Sequence, residues 1–161
     1  MAQSEIGHEA LTVTSATALH TPGEVIEIVG SEGLKRYQYV QYDDGTANVT
    51  LAAGNPVGYK VTDHRVVYAD LTDTAANLVA GVALGACTTA YYMWIQTWGY
   101  NSAVDMNTDD DAAVGQSVIW SDDQVCDTVA AGTASTYRPL GICEVAVVAA
   151  SNTAGVYLTC L

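Results

Sequence analysis

The stretch YYMWIQTW, Tyr91 to Trp98, decides how this chain is read. As a strand it places Tyr92, Trp94 and Trp98 around Gln96 on one face, and Tyr91, Met93 and Ile95 before Thr97 on the other. A strand that is apolar on both faces must be covered on both. The covers are either the two layers of one sandwich, or this chain on one side and another subunit on the other. Under the second reading Tyr91, Tyr92, Trp94 and Trp98 are the interface candidates, because Tyr and Trp pair an apolar body with a polar handle.

Working outward, further β-prone runs surround this one. Upstream lie EVIEIV (24–29), RYQYVQY (36–42), ANVTL (47–51), PVGYKV (56–61), HRVVYA (64–69) and NLVAGVAL (77–84). Downstream lie GQSVIW (115–120), QVCDTV (124–129), GICEVAVVA (141–149) and GVYLTC (155–160). Gly30-Ser31-Glu32-Gly33 reads as a turn, and Asp43-Asp44-Gly45-Thr46 between two β-prone runs predicts a hairpin. Strands spaced about ten residues apart and separated by Gly, Asp, Asn and Thr predict an all-β fold, a small barrel or sandwich. Helix is confined to a turn or two at Asp73–Asn77. Residues 1–20 show neither period and read as an extended N-terminal arm, free until it meets a partner. The turn Thr21-Pro22-Gly23 then opens a single β domain over 21–161. Its expected core is Val57, Tyr59, Val82, Leu84, Trp94, Val118, Trp120, Ile142, Val147 and Leu158.

An internal near-repeat organises that domain, over about 51–100 and 111–161. LAAGNPVGYK (51–60) lines up with DAAVGQSVIW (111–120), with Gly54 on Gly115, Val57 on Val118 and Tyr59 on Trp120. AGVALGAC (80–87) matches PLGICEVA (139–146), with Gly81 on Gly141 and Val82 on Ile142. YYMWIQ (91–96) matches GVYLTC (155–160), which sets Gln96 on Cys160. Two units in the same order predict a pseudo-symmetric body.

The ordered blocks AAGNPVGYK, AGVALGACTTAYYMWIQTWG, VGQSVIW and PLGICEVAVVAASNTAGVYLTCL resemble the small head decoration, or cement, proteins of tailed bacteriophages. The resemblance covers roughly residues 50–161. It implies a decoration-protein-like β-barrel or sandwich, the β-tulip among its forms, and a protein that is not an enzyme. It further implies a structural protein of the virion, made in the host cytoplasm and bound to the exterior of the head. Its partners would be the major capsid protein lattice and two further copies of itself in a homotrimer, which together strengthen the shell. In part of that family an N-terminal arm lies over the lattice. This chain departs from the pattern in its β-rich segment Thr21 to Leu51 and in its four cysteines. Two other readings stay open: a tail or fibre component, and a carbohydrate-binding β-sandwich using Tyr and Trp as stacking platforms.

Composition narrows the classes. Eighteen acids against five bases give a net charge of −13, which repels phosphate and argues against nucleic acid as a partner. No apolar run reaches the roughly 18 residues of a membrane span, and MAQSEIGHEA lacks the basic start and apolar stretch of a secretory signal. Cys87, Cys126, Cys143 and Cys160 form no CxxC and read as small buried hydrophobes, with one disulfide as the alternative. No serine-nucleophile elbow, phosphate loop or zinc-protease motif is present, and His8, His20 and His64 stand apart. No cofactor is expected. The weak metal candidate is a calcium-type loop with Asp105, Asn107 and Asp109 at its first, third and fifth places. Its sixth place is Asp110 rather than Gly and its twelfth Gln116 rather than Glu, so a solvated acidic loop between the repeats is the plainer reading. Asn48-Val49-Thr50 is a formal glycosylation sequon, and Asn48 reads as a strand-edge residue.

Overall fold

The computed structural model describes residues 11–45, 48–71, 78–107, 112–122, 124–129, 139–148 and 152–160. Among them all ten elements are strands: β1 (Val25–Gly30), β2 (Gly33–Tyr42), β3 (Pro56–Lys60), β4 (Asp63–Tyr68) and β5 (Val79–Ala83), then β6 (Tyr92–Asp105), β7 (Ser117–Asp122), β8 (Val125–Val129), β9 (Pro139–Val148) and β10 (Thr153–Thr159). They form one sheet in the order β1-β2-β4-β3-β5-β6-β10-β9-β7-β8, with a further pairing of β2 to β6. The all-β fold read from the sequence is what the chain adopts.

The β2–β6 pairing closes β2-β4-β3-β5-β6 into a ring, in which β2 and β4 run parallel. Val40, Tyr42, Leu51, Val57, Val67, Met93 and Ile95 fill its interior. Beyond Trp98, β6 leaves β2 and pairs with β10 instead. From there β10-β9-β7-β8 curl round until a single parallel bridge, Met106 to Cys126, brings β8 back to the end of β6. Val104, Met106, Val118, Trp120, Leu140, Val156 and Leu158 fill this second interior. The 14-residue β6 therefore serves both barrels.

The halves use matching strand orders, β4-β3-β5-β6 and β8-β7-β9-β10, and matching registers. Val57 lies opposite Gly81 and Val118 opposite Gly141. The Gly54 N–H donates to the Ala83 carbonyl at 2.9 Å, as the Gly115 N–H does to Cys143 at 2.8 Å. In the two turns before β3 and β7, the Ala52 N–H donates to Asn55 Oδ1 and the Ala113 N–H to Gln116 Oε1, both at 2.7 Å. A Cβ on Gly81 would lie 2.2 Å from the Gln96 carbonyl oxygen, and one on Gly141 2.2 Å from that of Tyr157. Gln96 thus answers to Tyr157, not to Cys160 as the sequence alignment has it. The short loop before β10 absorbs the difference.

Two expectations fail here. The hairpin across Asp43–Thr46 does not form, because β2 spends its edges on β1, β4 and β6. The chain after Tyr42 makes a compact turn instead. The Gly45 N–H donates to Asp43 Oδ1, the Tyr42 hydroxyl donates to the Val49 carbonyl, and Leu51 is buried beside Cys87 through one bridge. Asn48 sits in that turn with φ of 54°, so it is no strand-edge residue. Ile142, expected in the core, is 49% exposed, whereas its counterpart Val82 is fully buried because it packs into the second barrel's cluster. The rest of the expected core is buried or packed against it. The helical turn expected at Asp73–Asn77 lies outside the described residues.

Candidate interaction surface

The outer face of the first barrel shows what covers the second side of β6. Tyr37, Tyr39 and Trp94 point outward there and are joined by Leu11, with Ile26, Ile28, Leu84 and Tyr92 packed around them. Ser15 makes an antiparallel bridge to Tyr92, with N–H···O distances of 3.1 and 2.8 Å. The Leu19 N–H donates to the Tyr39 hydroxyl, and His20 sets its ring edge-on to Tyr39 at 5.2 Å and to Trp94 at 5.1 Å. Residues 11–20 are therefore laid along the body of the free chain, contrary to the expectation of an arm that waits for a partner. Residues 1–10, and His8 with them, lie outside the described residues. Residues 11–20 pack there because the aromatic face would otherwise meet solvent: covering it removes apolar area from water at roughly 25 cal/mol per Å².

The four interface candidates accordingly separate. Trp94 is 2% exposed inside its own chain and is a core residue, not a contact surface. Tyr92 is half-buried and stacks on Tyr39 at 6.0 Å, while Tyr91 is half-buried against the first barrel's interior cluster. Trp98 is half-buried at the crossing between barrels, edge-on to Tyr157 at 5.9 Å.

Trp98 leads instead to the corresponding outer face of the second barrel, which no described segment covers. Ile142 and Val145 are both 49% exposed there. Beside them Glu32, Tyr100, Glu144, Val145 and Tyr157 line a shallow depression of about 450 Å³. Gly155 is required beneath it: a Cβ would fall 2.6 Å from the Tyr100 hydroxyl and 2.8 Å from the Val145 Cβ. The expected core residue Ile142 is thus a surface residue, and Val145, Tyr100 and Tyr157 were missed. Their signal was available in the repeat: Glu144 stands where Leu84 stands in the first unit, and a carboxylate at that position marks an uncovered face.

Elsewhere the surface is anionic. Each described base is held by an acid: Lys35 by Glu32 (2.6 Å), Arg36 by Glu27 (2.8 Å), Lys60 by Asp43 (3.4 Å) and Arg65 by Asp63 (2.8 Å). The bonds from Arg65 hold the Asp63 carboxyl down near 2. Of the calcium-type loop, Asp105 accepts a bond from Asn55 Nδ2 at 2.8 Å, and burial raises its pKa. The Asn107 N–H donates to the Cys126 carbonyl, and Asp109 lies outside the described residues. Among the described residues, no three His, Cys, Asp or Glu side chains gather as metal ligands would. His64 is exposed and stacks on Tyr59 at 5.3 Å. The four cysteines are free thiols and all buried. Burial lifts Cys87 to about 11 and raises Cys126 and Cys143, which suppresses thiolate chemistry. No helix among the described residues is long and apolar enough to cross a membrane.

In comparisons with known proteins, no family model, curated protein or solved structure matches this chain.

Proposed function

We propose that this chain is a non-enzymatic virion structural protein that binds the outer surface of an assembled bacteriophage capsid and stabilises the shell. The observation that carries the reading is the uncovered face of the second barrel. Ile142, Val145, Tyr100, Tyr157 and Trp98 present aliphatic and aromatic surface on strands rather than in a cleft, which suits a broad protein partner. The blocks that resemble decoration proteins build this same region. The −13 charge, with every described base already paired, complements a basic lattice and keeps the free protein soluble at high copy number. On the shell the chain sits as a homotrimer at three-fold positions, with lattice bases offsetting repulsion between copies.

A second reading, a carbohydrate-binding module, draws on Tyr100 and Tyr157 beside the carboxylates of Glu32 and Glu144. Co-sedimentation with empty phage shells, and separately with insoluble polysaccharide, tells the two apart. Binding to shells that Ile142→Asp and Val145→Asp abolish is the expected result. Retention on polysaccharide without shell binding would overturn it.

A further inference from the structure

Of the sheet's two terminal strands, β8 is bridged back to the end of β6 at Cys126, whereas the outer side of β1 pairs with nothing among the described residues. The Tyr39 N–H donates to the Glu24 carbonyl at 2.9 Å, and the Gly23 N–H to the Tyr39 carbonyl at 2.7 Å. Counting on in twos, Ile26 and Ile28 bond to β2, and Val25, Glu27 and Val29 turn their N–H and C=O groups away from it. Open edges are ordinarily blunted by proline, lysine, a bulge or extreme shortness. β1 has none of these, and its one charge, Glu27, is held by Arg36: it runs six residues in unbroken register with β2, and it carries Val25 51% and Val29 79% exposed.

The strand is also a palindrome, Val25-Ile26-Glu27-Ile28-Val29. We propose that β1 is a docking edge for β1 of a second copy, the two strands pairing antiparallel about a two-fold axis through Glu27. Antiparallel pairing reverses one strand, so only a palindromic pattern sets like on like at every position. Val25 meets the partner's Val29 on the exposed face, and Ile26 meets the partner's Ile28 on the face that already packs against Tyr37 and Trp94. The one unfavourable pair, Glu27 against the partner's Glu27, is neutralised in place. Arg36 Nε and Nη2 lie 3.0 and 2.8 Å from Glu27 Oε1, so the axis carries two acids and two bases. The contact joins the two sheets edge to edge and stands independently of shell binding. On a shell it would link one three-fold group to the next.

Sedimentation velocity of the full chain across a concentration series, at about 0.15 M salt to screen the net charge, is the test. A concentration-dependent dimer is expected. Val29→Lys should weaken it at least tenfold, and Val13→Lys, at a half-exposed site off the edge, should leave it unchanged. Unaltered circular dichroism and melting of Val29→Lys establish that it folds. Glu27→Cys should give a cross-linked dimer on oxidation, whereas Ser31→Cys in the β1–β2 turn should not. A chain monomeric at every concentration overturns the proposal. So does an oligomer that neither responds to Val29→Lys nor cross-links through Glu27→Cys.

Discussion

The two barrels share strand order, register and turn hydrogen bonds, yet their outer faces end differently. On the first, Tyr37, Tyr39 and Trp94 lie beneath Leu11, His20 and the isoleucines of β1. On the second, Tyr100, Tyr157, Ile142 and Val145 have no such cover among the described residues. The same local pattern thus yields a core in one place and a surface in the other. A strand's burial belongs to whatever packs on it, not to the strand alone.

The comparison breaks most severely where the halves are most alike. Gly81→Ala and Gly141→Ala each push a Cβ to 2.2 Å from a backbone carbonyl that the sheet holds rigid. Each should cost more than about 4 kcal/mol or prevent folding, and the two should be equally damaging in urea denaturation. A mild effect at either position would mean that the matched registers are not rigid.

Next come the large side chains. Trp94→Ala and Trp120→Ala should each cost about 3–5 kcal/mol, since both are at most 2% exposed. Deleting residues 1–20 should expose only Trp94, so iodide quenching of tryptophan fluorescence should rise in the deletion and not in the deletion carrying Trp94→Phe. Unchanged quenching would show that the segment does not lie on Trp94.

The Tyr59 share of a pH effect probes the first barrel. Burial lifts the Tyr59 phenol to about 12, and its hydroxyl donates to Gln38. The folded state therefore favours the neutral phenol. That contribution is fully present below the ordinary value of 10.0 and is lost as pH climbs through about 12. Stability should fall over that window by on the order of 2 kcal/mol. Tyr59→Phe should remove that part of the decline, as followed by chemical denaturation at stepped pH.

The smallest effect sharpens the comparison best. Val82→Ala should cost about 1.5–3 kcal/mol as a fully buried residue. Its counterpart Ile142→Ala should cost under about 1 kcal/mol, since half of Ile142 already faces solvent. Equal costs would mean that the second barrel's face is covered in solution.

Strand identity was legible because it is local: β-branched and aromatic runs bounded by Gly, Asp and Asn marked every strand of the structure, with ANVTL as the one surplus. The end of β6 was not legible, because Gly99-Tyr100-Asn101-Ser102 has turn chemistry. Gly99 stays in the strand with φ of 89° because the Leu34 carbonyl would lie 2.4 Å from any Cβ. The matched glycines were legible too, since close approach of a strand admits no side chain.

By itself, then, the sequence determined an all-β chain, an anionic surface and an aromatic strand needing cover on both faces. Only the tertiary structure decided that residues 11–20 supply one of those covers, that Asp43–Thr46 closes no hairpin, and that Ile142 faces outward where Val82 faces in. Each of those outcomes depends on contacts between residues far apart in the chain, and periodicity within one segment carries no information about its distant partner.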